Sequence, residues 1–198
     1  MSLRPCFGVL SLTLVSLFAC SGAAVSSEEQ ARRAYAGLDQ AVSKSMQLGF
    51  DGFNSANSAS ISAQTTAGAK TGTLTITGKV DQGSSANKGM RLEVAMANYS
   101  DGDAGSTVDI TYATPLDGGT APTLDLSLKG IPTGTFTGAL NGDFAMSGGL
   151  TGTVRLDLAL SGQLEAGDGG TVRRKAGSTT VTGKATSGTG VFQVNVTL

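Results

Sequence analysis

From Lys70 to the C-terminus, apolar and polar residues alternate with a period of two. Leu74, Ile76 and Val80 alternate with Thr73, Thr75, Thr77 and Lys79, which predicts a strand with one aliphatic face and one hydroxylated or charged face. The same alternation returns at Met90, Leu92, Val94 and Met96, at Val108, Ile110 and Tyr112, and at Leu124, Leu126 and Leu128. Phe136 with Leu140 and Phe144 with Met146 predict two shorter strands, followed by the long run Val154, Leu156, Leu158, Leu160 and Leu164. Phe192, Val194, Val196 and Leu198 form the last set. Between the runs lie turn signals. Asn141-Gly142 predicts a type I′ turn joining the two phenylalanine strands, because both residues tolerate positive φ. Asp117-Gly118-Gly119 and Asp168-Gly169-Gly170 predict looser hairpins, and Pro132-Thr133-Gly134 a turn with proline at its second position. Connections this short join antiparallel neighbours, so residues 71–198 predict a sequential sheet of roughly eight to ten strands.

Upstream the period is helical. Ala31, Tyr35, Leu38, Val42 and Met46 fall on one face, while Arg32, Arg33, Asp39, Gln40 and Lys44 fall mostly on others. Ser26 or Ser27 supplies an N-cap, Glu28 and Glu29 complement the helix dipole, and Gly49 is the expected stop. The segment predicts one amphipathic helix over residues 27–49, and a helix of that size is about 35 Å long. With only two arginines and one lysine, it is expected to pack on the sheet and not on a membrane surface. Phe50 and Phe53 are expected contacts as the chain leaves the helix; residues 50–70 read as a connection with one weak strand near Ser58 to Gln64. The expected fold class is mainly β: an antiparallel meander, curled into a half-barrel or barrel-like sheet, with one N-terminal amphipathic α-helix packed on it, residues 27–198 forming one domain. A closed up-and-down barrel is the second architecture. Gly78, Gly138 and Gly183 occupy inward positions, where they leave room for a ligand or, as the preferred reading, for close approach of the helix.

The first residues have a different character. Arg4 precedes the uncharged apolar run Cys6 to Ala19, which is too short to span a bilayer and reads as an export signal over residues 1–19. It ends in Leu17-Phe18-Ala19-Cys20, which resembles the lipobox of bacterial lipoproteins. That resemblance implies cleavage between Ala19 and Cys20 and lipidation of Cys20: a diacylglyceryl group on the thiol, and an acyl chain such as palmitate on the new amine. Several chains make a firm anchor, since each buried methylene contributes about 0.8 kcal/mol. Ser21, standing where an aspartate retains such proteins in the inner membrane, implies sorting to the outer membrane, facing the periplasm or the exterior. Residues 20–26 would then be a short lipidated tether. The same residues also fit an ordinary secretory peptide cut after Ala23 or Ala24.

Composition narrows the chemistry. The chain has 198 residues and no histidine, which removes the commonest general base and the usual zinc ligand. Its two cysteines, Cys6 and Cys20, leave no disulfide for a mature chain that begins at Cys20. A net charge of -1 gives no footprint for nucleic acid, and the basic run Arg173-Arg174-Lys175 reads as solvated charge at a hairpin end. Asp101, Asp103 and Asp109 read as an acidic turn, lacking the spacing of an EF-hand loop. No phosphate loop or serine-hydrolase elbow occurs, so neither a catalytic residue, a metal nor a cofactor is expected. With no tryptophan and three tyrosines, the aromatic girdles of a transmembrane barrel cannot be built. The expected partner is the membrane, through lipidated Cys20; two functions remain open beyond it. One is a non-catalytic structural or interaction module with an envelope protein partner. The other is a carrier of a lipid or other hydrophobic ligand, held in a cavity between helix and sheet.

Overall fold

The computed structural model describes residues 24–81, 84–103, 106–116 and 118–198. Ala19, Cys20 and the whole export signal lie outside the described residues, as does Asp117. A kinked helix runs first, in two arms, α1 (Glu28–Ala36) and α2 (Asp39–Ser55). Ten strands follow among the described residues: β1 (Ser60–Ala67), β2 (Thr71–Val80), β3 (Lys88–Ser100), β4 (Ile110–Thr114), β5 (Thr123–Lys129), β6 (Thr135–Gly148), β7 (Gly152–Ala166), β8 (Val172–Arg174), β9 (Thr180–Ser187) and β10 (Gly190–Thr197). All pair antiparallel in one sheet, in an order that follows the chain.

The sheet is mainly β meander and partly ringed. β1 and β10 do not pair with each other, so the ring is not a closed barrel. The helix fills the opening instead, α1 packing on β10, and α2 on β1, β2, β3 and β8. The inward residues expected from the alternation are buried: Leu74, Ile76 and Val80, Met90 to Met96, Leu124 to Leu128, and Val154 to Leu164. They meet Tyr35, Leu38, Val42 and Met46 from the helix in one core.

Ser27 caps α1, its hydroxyl accepting the Gln30 N–H at 3.2 Å, while the Gln30 side chain accepts the Ser26 N–H at 2.7 Å. The kink has a specific cause. The Leu38 N–H turns to the Tyr35 carbonyl at 2.7 Å, which frees the Ala34 carbonyl, and the Tyr112 hydroxyl of β4 donates to it at 2.8 Å. A Cβ on residue 37 would stand 2.4 Å from that hydroxyl, so glycine is needed there. Gly49 is not the stop. It lies inside α2 with Gly52, and the two let the helix settle against Met90, Leu92 and Ile61 while it continues to Ser55.

Several expectations are corrected. Asn141-Gly142 makes no hairpin: β6 runs straight through it, with Asn141 opposite Asp157 and Gly142 opposite Leu156. A two-residue turn there would set Phe136 and Leu140 on one face and Phe144 and Met146 on the other, but all four are buried on the same face. The chain between β4 and β5 is not a hairpin either. Both strands lie in one slot between β3 and β6, pointing the same way, and the described residues between them belong to no strand, the chain rejoining β3 where the Val94 N–H donates to the Pro122 carbonyl at 2.8 Å. Val108 precedes β4 and is 53% exposed, not inward. Gly78 and Gly183 serve neither a ligand nor the helix. Both have positive φ within strands, and a Cβ would lie 2.1 Å from the Arg91 carbonyl oxygen or 2.2 Å from that of Asp157, so they let the sheet coil. At Gly138 the neighbour is likewise β5, the Asp125 carbonyl oxygen at 2.6 Å.

Candidate functional site

The interior between α2 and the sheet offers almost no space. Leu38, Ala41, Val42 and Ser45 face Val94, Met96, Leu124, Leu140 and Phe144 across a cavity of about 10 Å³. That is the size of one water, whereas small-molecule sites occupy hundreds of cubic ångström. The enclosed site that a ligand between helix and sheet would need is filled by side chains.

Charged residues are spent on holding the helix to the sheet. Arg174 is not solvated, its side chain being only 7% exposed. β8 aims it inward beside Leu164, where it grips both carboxylate oxygens of Asp39 at 2.8 and 2.9 Å, the Asp39 carbonyl at 2.7 Å and the Ser43 hydroxyl at 2.6 Å. Its neighbour Arg173 is exposed and pairs with Glu165 at 2.8 Å. The acidic turn is a second anchorage. Asp101 accepts from Lys44, from the Tyr99 hydroxyl and from the Ala69 N–H at 2.8 Å. Burial alone would raise its pKa, but these donors together outweigh burial and hold the carboxyl below its ordinary value. Burial, reinforced by the Asp101 carboxylate, pushes the Tyr99 hydroxyl the other way, well above the usual range. Asp103 pairs with Arg33, which also donates to Ser106, Val108 and Gly149. Among the described residues, no three of His, Cys, Asp and Glu converge as metal ligands.

Two further features lie at opposite ends of the sheet. One is the seam where the chain enters the domain. Ala24 and Val25 are buried, although they fall within the expected tether. Ala24 rests on Gly152, and the Val25 N–H donates at 3.3 Å to the Ser187 hydroxyl, which itself donates to the Thr153 carbonyl at 2.9 Å. The seam sits at the end of the sheet formed by the β6–β7 and β9–β10 turns. Alternation did not flag it, because a two-residue Ala-Val segment has no period to read. The other is an open depression of about 470 Å³ at the opposite end. Phe50 and Phe53 of α2, Ile131 and Val172 line it, with Gln47, Asp51, Asn54 and Lys88 around them, and the Lys88 ammonium lies 4.3 Å from the centre of the Phe53 ring. Phe50 and Phe53 are half-buried, as contacts made where the helix ends.

Among the described residues no helix is long and apolar enough to cross a membrane. Compared with protein-family models, with curated proteins and with solved structures, the chain matches none.

Proposed function

We propose that the protein is a bacterial envelope lipoprotein, anchored through lipid on Cys20 and sorted to the outer membrane, whose domain is a non-catalytic structural or interaction module. The observation that carries this reading is the burial of the entry seam. Cleavage after Ala23 or Ala24 would leave a charged amine on Ala24 or on Val25, both buried residues, and an unpaired buried ammonium is strongly unfavourable. Cleavage before Cys20 keeps Ala24 and Val25 as interior chain and sets the new amine outside the seam. The solid interior supports the module half of the reading, since the molecule then acts through its surface.

Mass spectrometry of the N-terminal peptide from native membranes tests the anchor. The expected peptide begins at Cys20 and carries acyl chains, and Cys20→Ala moves the protein to the soluble fraction. An unmodified Cys20 overturns the proposal. A second reading, a binder of an apolar ligand, is favoured by the depression at Phe50 and Phe53. It predicts a co-purifying apolar molecule in native mass spectra that Phe53→Asp removes, and spectra of the bare protein count against it.

A further inference from the structure

Resting on the lipoprotein reading, we infer that the end of the sheet at the entry seam is a membrane-facing rim, with Val108 and Val191 seated in the lipid interface. Three observations converge on this end. First, Ala24 is docked on Gly152, and four residue steps separate it from Cys20. A fully extended chain covers at most about 3.5 Å per residue, so the lipidated residue lies within roughly 14 Å of the seam. The far end of the molecule is much more distant: β6 alone has 14 residues, about 45 Å of strand.

Second, among the described residues the two exposed large hydrophobic side chains are Val108, at 53%, and Val191, at 55%. Both belong to this end. Val108 precedes β4 beside the β6–β7 turn, its carbonyl held by Arg33, and Val191 follows the β9–β10 turn on the outer face of β10, opposite Thr186. Third, the rim has no net attraction for anionic lipid. Glu28, Glu29, Asp101, Asp103 and Asp109 carry negative charge at this end against Arg32, Arg33, Lys44 and Lys70, and Arg32 pairs with Glu29, Arg33 with Asp103 and Lys44 with Asp101. Contact therefore rests on the apolar side chains and on proximity imposed by the anchor, so a zwitterionic lipid surface is the partner.

The absence of tryptophan makes the test direct. Three variants of the full chain, Val108→Trp, Val191→Trp and Thr133→Trp, each carry one indole; Thr133 lies in the β5–β6 turn at the far end. Each is purified from membranes and reconstituted into phosphatidylcholine vesicles with brominated acyl chains, and the mass of its N-terminal peptide is measured in the same preparation. The expected result is about a twofold loss of emission at positions 108 and 191 and none at position 133, the signature of side chains reaching the acyl boundary. Lipidated protein in which positions 108 and 191 are quenched no more than position 133 overturns the rim and leaves the anchor standing. Protein without lipid on Cys20 overturns the lipoprotein reading and the rim with it.

Discussion

Ser45 is 1% exposed on the inward face of α2, and its hydroxyl has no hydrogen-bond partner among the described residues. A desolvated hydroxyl without a partner costs about 1–2 kcal/mol. Ser45→Ala is therefore expected to raise the unfolding free energy by about that amount, read as a higher denaturant midpoint at unchanged slope, and a loss of stability would show that the hydroxyl is bonded after all. Arg174 is the opposite case, a buried charge with every donor engaged. Arg174→Met strands the Asp39 carboxylate, 17% exposed, at the start of α2, and about 3 kcal/mol of stability should be lost. Arg173→Ala removes only a solvated pair and should cost less than about 1 kcal/mol, so equal effects in urea unfolding would refute the distinction. The inward aim of Arg174 was legible, since it shares parity with Val172, which is buried. Its partner was not, because nothing local links β8 to a residue at the start of α2.

At the scale of elements, strand periodicity carried most of the information and turn dipeptides carried less. Phe136, Leu140, Phe144 and Met146 have even numbers on both sides of Asn141-Gly142, which only an uninterrupted strand allows; the dipeptide pointed to a turn, but the face pattern was the stronger signal. Hydrogen exchange checks this. Amides from Leu140 to Phe144 should be protected like the rest of β6, while those of Thr133 and Gly134 exchange quickly; fast exchange at Gly142 would restore the hairpin. The kink of the helix could not be read in the same way, because it depends on Tyr112 meeting Gly37 across the fold. The clamp of Lys44 on Asp101 ties α2 to the sheet and makes stability depend on acid. The carboxyl is held below its ordinary value of 3.8, so its contribution is complete above that pH and is lost as pH falls through the lowered value. Asp101→Asn should be less stable than the parent at neutral pH, with the difference shrinking below about pH 4. A difference that stays constant down to pH 2 would remove the clamp from the account.

The whole molecule is a sheet too curled to be flat and too open to be a barrel, with a helix completing the circumference. Fold class, strand order and helix were legible because each rests on short-range periodicity. The candidate rim was not, since it depends on where Ala24, Val108 and Val191 meet in space. The detour between β4 and β5 has a consequence for how the fold can vary. The chain departs from the ring after β4 and returns to the same slot at β5, so the neighbours β3 and β6 hold their alignment whatever the length of the excursion. Gly118 touches nothing near its would-be Cβ. A short peptide tag inserted between Gly118 and Gly119 should leave the melting temperature within about 3 °C of the parent, because lengthening an exposed loop adds only a few tenths of a kcal/mol. The same tag placed in the β6–β7 turn, beside the seam, should be far more disruptive. The interrupted strand is in effect a port, through which this scaffold can accept foreign sequence without rearranging the ring that carries it.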